Sequence, residues 1–201
     1  MMNVMKKFVV CDIEATGPNE KCEIIEIALI TWSKGQVRDS FDSLVNPLCP
    51  IPPFVSELTS ISQKELLSAP KFYEISSTIQ SFLEGAIFVS HKTDFDFNIL
   101  KRNFKDMGVD LRNKCLCTLQ LAKKVLPGLK SYNLDTLCQF FGIKTEMRHR
   151  AYDDAVATLE LLKKLLSLQS SFASYKNEFW GRSEKKSFEE NKSTLPHHQK
   201  I

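Results

Sequence analysis

Apolar and polar positions alternate along the first third of the chain in the manner of β-strands. Runs at 7–14, 23–32 and about 36–46 combine apolar and β-branched residues, and a Lys-Gly turn separates the second run from the third. Because the links between these runs are short, the three strands are expected to form an antiparallel meander. A proline-rich loop over 47–53 ends this section of the chain.

Farther along the chain, apolar residues recur at the spacing of α-helices. Ser62-Gln63-Lys64-Glu65 is a capping-box pattern, which predicts the start of a short helix. Strand-like runs at 86–90 and 114–118 alternate with helical segments. Three antiparallel strands followed by alternating helices and strands predict an α/β fold with one mixed sheet flanked by helices. The other predicted helices run from Phe72 to Phe82, from Phe97 to Met107, up to Leu126, from Leu134 to Phe141 and from Ala151 to Leu168.

The pattern ends at about residue 169, where the composition becomes polar and aperiodic. We therefore expect one domain over 1–168 and a C-terminal tail over 169–201. Two aromatic residues, Phe179 and Trp180, precede the polar part of the tail. They either cap the domain or serve as a docking segment, and capping is the favoured interpretation.

The overall composition is that of a globular protein. Hydrophobic residues make up 43% and charged residues 25% of the 201 positions, and no apolar run approaches the length of a membrane span. The N-terminus leads directly into the first strand without a signal-peptide core, so a cytoplasmic location is expected. The six cysteines form no C-x-x-C pair and are expected to be reduced and structural. A net charge of +3 is a weak indication of an anionic partner.

Acidic residues mark the end of the first strand. In the segment FVVCDIEATG, residues 8–17, Asp12 and Glu14 stand two positions apart, so both side chains project from the same face of the strand. Two like charges at the end of a buried strand repel each other, and the fold does not need them for stability. A positively charged partner is therefore expected between them.

Two further carboxylates have a similar context. Asp96 lies at the start of the helix that follows the 86–90 strand, and Asp154 lies in the first turns of the last helix. Asp154 shares the apolar face of that helix, so its side chain is expected to point inward, whereas Asp153 is expected to face solvent. The chain thus offers four inward carboxylates.

These carboxylates provide only oxygen ligands, which suit Mg²⁺ or Mn²⁺ and not zinc. Four acids can hold two divalent ions roughly 3.5–4 Å apart, the arrangement that catalyses in-line phosphoryl displacement. His149 stands five residues before Asp154, near enough to take the proton from an attacking water. The residues therefore predict a two-metal site for phosphoryl chemistry.

The acidic segments together resemble the motifs of the DEDDh-type 3′–5′ exonucleases, the family that includes the proofreading epsilon subunit of bacterial DNA polymerase III. The first motif, D-x-E-x-T-G, stands at 12–17, the second, H-x-x-x-F-D, at 91–96, and the third, H-x-A-x-x-D, at 149–154. The resemblance covers residues 8 to about 166 in the family's order. Three positions differ from the common pattern without removing a metal ligand: Pro18, Lys92 and Cys117.

The resemblance implies a ribonuclease-H-like fold and a role for each motif residue. Asp12 would bridge two metal ions. Glu14 and Asp154 would complete the site of one ion and Asp96 that of the other. His149 would act as the general base.

The resemblance also suggests where the substrate binds. The backbone around Thr16 and Gly17 would cradle the 3′-terminal nucleotide. His91 opens the second motif and is counted with the substrate-binding residues, although a hydrogen-bonded structural role is the more common one for such a histidine.

Basic residues near the motifs fall into two groups. Arg148 and Arg150 flank the histidine of the third motif and are candidate contacts for substrate phosphate. Lys101, Arg102 and Lys105 lie on one predicted helix and are expected to form a solvated face.

The predicted activity is removal of nucleoside monophosphates from single-stranded DNA or frayed 3′ ends, with two Mg²⁺ or Mn²⁺ ions. A DNA polymerase subunit is the expected partner if the tail is a tether, whereas a repair exonuclease would stand alone. Three alternatives stay open: an RNA-trimming exoribonuclease of the same family, a non-catalytic nucleic-acid-binding module, and a metal-dependent hydrolase of small nucleotides. No membrane partner is expected.

Overall fold

The computed structural model describes residues 6–19, 21–145 and 147–168, so the predicted tail lies outside the described residues. Within them, the strands are β1 (Lys7–Ala15), β2 (Ile24–Ser33), β3 (Gln36–Leu44), β4 (Ala86–Ser90) and β5 (Cys115–Cys117). The helices are α1 (Pro53–Thr59), α2 (Gln63–Ser68), α3 (Phe72–Leu83), α4 (Thr93–Asp106), α5 (Thr118–Val125), α6 (Leu134–Phe141) and α7 (Ala151–Leu168).

One five-stranded sheet forms the centre of the protein, in the order β3-β2-β1-β4-β5. β1 pairs antiparallel with β2, and β2 pairs antiparallel with β3, which confirms the predicted meander. β4 is parallel to β1, and β5 is parallel to β4. Parallel neighbours need a crossover connection, and α4 provides the one between β4 and β5. The predicted mixed sheet is confirmed.

The alternation of side chains along β1 decides where its acids point. Phe8 and Val10 belong to the core that the sheet forms with α5, α6 and α7. The alternate residues Val9, Cys11 and Ile13 belong to a second core, which the other face of the sheet forms with α3 and α4. Asp12 and Glu14 continue the first series, so they project on the α7 side of the sheet. The pairing of β1 with β4 ends at Val10, and both acids therefore lie beyond it.

Helix α7 approaches the sheet closely at its N-terminal end. Ala151 and Ala155 are fully buried there, and their small side chains allow the first turns of the helix to lie against the strands. Leu161 and Leu162 continue the buried face farther along. Neither α7 nor any other helix in the described part of the chain is long and apolar enough to cross a bilayer.

The capping box at Ser62 is confirmed, but the helix that precedes it was not predicted. The sequence pattern gives no helix between the proline-rich loop and Ser62, whereas residues 53–59 form α1. Pro52 stands at the N-cap and a second proline in the first turn, where helix amides have no intrahelical partner and a missing N–H costs nothing. Val55 then packs against Ile25 of β2 in a small third core.

Candidate active site

Four carboxylates lie near one another toward the carboxyl ends of β1 and β4, where Glu14, Asp96 and Asp154 all act electrostatically on Asp12. Asp12 and Glu14 come from β1, Asp96 comes from the first turn of α4, and Asp154 comes from the first turn of α7. Asp96 and Asp154 are each only 5% exposed, so the prediction that Asp154 points inward is confirmed. The carboxyl end of parallel strands is the usual place for a ligand site in an α/β sheet.

Burial and mutual repulsion disfavour the charged forms of these acids. Burial raises the pKa of Asp12 well above its ordinary value, and the charges of the other three acids raise it further. Burial is also the main cause that raises the pKa of Glu14 to about 7 and the pKa of Asp96 to about 7. The pKa of Asp154 is raised by burial as well. A site with this much negative charge in a small volume attracts cations.

The donor set fits divalent cations. One ligand atom each from Glu14, His149 and Asp154 lies within 4.8 Å of the other two. Carboxylate oxygens dominate the site, and they are the ligands that Mg²⁺ and Mn²⁺ prefer. A bound cation would remove the repulsion that the buried carboxylates otherwise impose on the fold.

The raised pKa values predict that the metal-free protein becomes less stable as the pH rises. An acid whose pKa is higher in the folded chain binds more protons when folded, so stability falls between its unfolded pKa, about 4, and its raised pKa. For Glu14 and Asp96 the raised pKa is about 7. We expect the melting temperature in chelator to fall by roughly 5 °C or more between pH 5 and pH 8, and Mg²⁺ to restore it. Scanning calorimetry measures both effects.

The variant Asp96→Asn tests whether the buried acids cause the fall in melting temperature with rising pH, because it replaces one of them by a neutral side chain of the same shape. It should reduce the fall in melting temperature and stabilise the metal-free protein at pH 8. Asp94→Asn is the matched control, since Asp94 stands on the same helix but is exposed. The same fall in the wild type and in both variants would show that the buried acid is not its cause.

The backbone of His149 has a φ of +60°, in the left-handed region that residues other than glycine seldom adopt. Three contacts fix the segment around it. Its backbone amide donates a hydrogen bond to Asp154 Oδ2 at 3.2 Å. On one side of it, the Arg148 guanidinium contacts Asp154, and on the other side Arg150 pairs with Glu26. A contact between Arg150 and substrate phosphate therefore stays a prediction, and it would compete with this ion pair.

Arg148 brings positive charge to the acids. Its guanidinium contacts the carboxylates of Asp154 and Asp135. Its charge lowers the pKa of Asp12 and of Glu14, which opposes the larger effect of burial. A contact between Arg148 and substrate phosphate also stays a prediction, and it would require the guanidinium to share Asp154 or leave it.

The expectation of a solvated face on α4 is wrong for Arg102. Its guanidinium donates to the backbone carbonyl of Cys22 and pairs with Glu23 at 3.3 Å. The turn between β1 and β2 lies against α4, which brings that carbonyl within reach of the arginine. Lys101 and Lys105 are exposed, as predicted.

His91 is held by hydrogen bonds at both ring nitrogens. Nε2 lies 2.9 Å from the Tyr132 carbonyl and Nδ1 lies 2.9 Å from the Thr118 hydroxyl. A carbonyl can only accept, so Nε2 carries the proton and Nδ1 accepts from the hydroxyl. Burial lowers the pKa of His91 to about 4, which keeps the ring neutral near pH 7. These contacts describe a structural residue, and substrate contact by His91 stays a prediction.

The first motif continues into the turn that follows β1. The Thr16 amide donates to the Glu23 carbonyl at 2.9 Å, and the Thr16 hydroxyl accepts from the Glu23 amide at 2.9 Å. A Cβ added to Gly17 would meet the Cβ of Cys22 at 3.9 Å, an ordinary contact. Packing among the described residues therefore does not require glycine at this position.

The sequence reasoning missed Glu26. It stands directly opposite Glu14 in the β1–β2 ladder and is 4% exposed. The one signal was its place inside the apolar run IIEIALI, because a charged residue in a buried strand is rare unless it has a partner. The partner, Arg150, is 124 residues away in sequence, so no local pattern could identify it.

Comparisons with known proteins agree with this geometry. A family model described as exonuclease, RNase_T, matches residues 9–162. The DNA polymerase III subunit epsilon of Aquifex aeolicus is 38% identical over 161 residues, which make up 79% of this chain and 80% of that protein.

Two much longer relatives contain a similar segment. The PolC-type DNA polymerase III of Caldanaerobacter subterraneus subsp. tengcongensis is 39% identical over 161 residues, covering 80% of this chain and 12% of that protein. The 3′-5′ exonuclease DinG of Staphylococcus aureus is 36% identical over 160 residues, covering 79% of this chain and 18% of that protein. This chain therefore matches less than a fifth of the length of either relative.

Solved structures share the fold. Exonuclease X in complex with 5′-overhanging duplex DNA superposes with a TM-score of 0.68 at 23% identity, covering 83% of this chain and 95% of that one. Exonuclease I bound to an inhibitor gives a TM-score of 0.71 at 16% identity, covering 82% of this chain and 42% of that one. At these identities the likeness concerns the fold alone, and the predicted ribonuclease-H-like architecture is confirmed.

Proposed function

Because this chain belongs to the exonuclease family, we propose that it removes nucleoside monophosphates one at a time from the 3′ end of DNA. The proposed substrates are single strands and frayed 3′ ends. The observation that carries the proposal is the cluster of four carboxylates at the carboxyl end of β1 and the first turns of α4 and α7. Such a cluster destabilises a metal-free fold, so a catalytic use of cations explains its presence.

Two Mg²⁺ or Mn²⁺ ions are the proposed cofactors. When bound, ions of this kind polarise the scissile phosphate and stabilise the charge on the leaving oxygen. The acids that would hold them stand on a central strand and in the first turns of two helices, positions that a rigid sheet fixes. These ligands are Asp12, Glu14, Asp96 and Asp154.

His149 is the proposed general base. One of its ring nitrogens lies within 4.8 Å of a carboxylate oxygen of both Glu14 and Asp154, at the edge of the acidic cluster. There it would accept the proton of the attacking water as the water oxygen bonds to phosphorus and the bond between phosphorus and the leaving 3′ oxygen breaks. The backbone at Thr16 and Gly17 would receive the terminal nucleotide, and glycine leaves space for a close approach of the sugar.

The named relatives support a role in DNA synthesis. A proofreading subunit would have a DNA polymerase as its partner, and the segment 169–201 would then act as a tether that raises the effective concentration at the polymerase. A free-standing repair exonuclease is the second version of the same activity. The five catalytic residues argue against a non-catalytic binding module, since such a module has no use for them.

The deciding experiment compares matched 5′-labelled single strands of DNA and RNA, each with Mg²⁺, with Mn²⁺ and with chelator. We expect a ladder of products that shorten from the 3′ end, only when metal is present, and faster cleavage of DNA. Faster cleavage of RNA would favour the exoribonuclease alternative. If the folded protein cleaves neither strand with metal present, the proposed activity is contradicted, and a labelled dinucleotide then tests hydrolysis of small nucleotides.

A further inference from the structure

We infer that Glu26 and Arg150 are positioning residues that hold His149 in its catalytic place. The inference rests on the proposed function, in which His149 is the general base. In this role both residues act through the backbone at the start of α7.

Glu26 is a buried carboxylate with both oxygens engaged. Oε1 accepts hydrogen bonds from Arg150 Nη2 at 2.8 Å and from Arg150 Nε at 3.1 Å. Oε2 accepts from the Ala151 amide at 2.9 Å. Such a charge-assisted, fork-like pair is geometrically specific, and it leaves no free oxygen to bind a cation. Glu26 is therefore distinct from the four carboxylates proposed as metal ligands.

These contacts tie the start of α7 to the sheet. Glu26 stands on β2, which is hydrogen-bonded on both sides, to β1 and to β3. The two residues it binds, Arg150 and Ala151, come directly after His149 in the chain. The position of the helix start is thereby set by the strand and not by the helix alone.

The other flank of His149 is fixed as well. Arg148 contacts Asp154, and the His149 amide donates to Asp154 at 3.2 Å. Between these two flanks His149 has a φ of +60°. A residue other than glycine keeps such a backbone conformation only where its surroundings impose it. Loss of the contacts that Glu26 makes with Arg150 and Ala151 should let the backbone at His149 relax and turn the imidazole away from the acids.

The test is a double-mutant cycle that combines Glu26→Gln with His149→Ala. In the wild-type background, Glu26→Gln should lower kcat roughly 10- to 100-fold, the cost of a misplaced catalytic group, with KM changed by no more than about twofold. In the His149→Ala background it should lower kcat no further, because no imidazole remains to be positioned. A second loss of the same size would overturn the inference, since Glu26 would then act on the metal site or on the fold.

Glu26→Gln leaves Arg150 without its counter-charge, which can impair folding. The double variant Glu26→Gln with Arg150→Met removes both charges and should show the same loss of kcat. Combined with His149→Ala, it should again lower kcat no further. Glu23→Gln is the matched control directly before β2, because it removes a carboxylate from a half-exposed ion pair with Arg102. The control should leave kcat unchanged.

A second measurement does not depend on catalysis. The chain has four histidines, so ¹³C-histidine labelling gives few imidazole signals, and His149→Ala identifies the one from His149. Glu26→Gln should shift or broaden that signal, while the affinity for Mn²⁺ in calorimetry stays within about threefold of the wild type. An unchanged His149 signal would overturn the inference even if the wild type cleaves DNA. A folded wild type without activity would instead contradict the proposed function alone.

Discussion

Asp12→Asn is expected to abolish the exonuclease activity and to weaken the binding of divalent metal. The pKa of Asp12 is raised by burial and then by the charges of each of the other three acids. Metal ions supply several kilocalories per mole of transition-state stabilisation. Because about 1.4 kcal/mol corresponds to a factor of ten in rate, loss of a central ligand should cost roughly three orders of magnitude or more.

The same substitution should leave the metal-free fold intact or make it more stable. It replaces one of several like charges by a neutral side chain of the same shape, which relieves repulsion. Turnover on labelled DNA, calorimetric titration with Mn²⁺ and the melting temperature in chelator together separate loss of function from loss of fold. Asp94→Asn, at an exposed position, should behave as the wild type does in all three. An Asp12→Asn protein that cleaves DNA at nearly the wild-type rate would contradict the two-metal proposal.

The acidic part of the site could be predicted because its geometry follows from local periodicity. Side chains two positions apart share a strand face, so Asp12 and Glu14 had to project together. The apolar face of α7 then determined the direction of Asp154. In the fold, these periodicities together with turn and capping signals predicted the meander, the mixed sheet and most helices.

Features that depend on contacts between distant segments could not be predicted. The ion pair of Arg150 with Glu26 is one such feature, because the two residues are 124 positions apart in the sequence. The contact of Arg102 with the Cys22 carbonyl is another, because the turn that carries this carbonyl comes from a part of the chain 80 residues away. Helix α1 was missed because its prolines read as loop residues, although the first turn of a helix tolerates them.

The left-handed backbone at His149 also could not be predicted, since it depends on contacts of the residues on both sides of it. This has a functional consequence. Three of the acids, Asp12, Glu14 and Asp96, are placed by β1 and by the start of α4, whereas the proposed base stands at the start of α7, which the long-range contacts of Glu26 tie to the sheet. Substitutions of the base and of the acids should therefore have separable effects on metal binding and on proton transfer.

His149→Ala is accordingly expected to lower turnover by roughly 10²–10⁴-fold while divalent metal still binds. The carboxylates that surround it supply enough oxygen ligands to hold the metal without the imidazole. A histidine beside Glu14 and Asp154 can act as a metal ligand or as the general base. Calorimetric titration with Mn²⁺ distinguishes these two roles. If metal affinity falls as far as in Asp12→Asn, His149 is a ligand and not the base.

Exogenous imidazole provides the sharper test of proton transfer. In His149→Ala, the truncated side chain leaves space beside the acids, and a diffusing imidazole can accept the proton that His149 would have taken. Turnover of this variant should rise with imidazole concentration, whereas that of Asp12→Asn should not, since imidazole cannot replace a carboxylate ligand. Unchanged turnover in His149→Ala without any added imidazole would remove His149 as the base, and the proton would then have to leave through a carboxylate or through solvent.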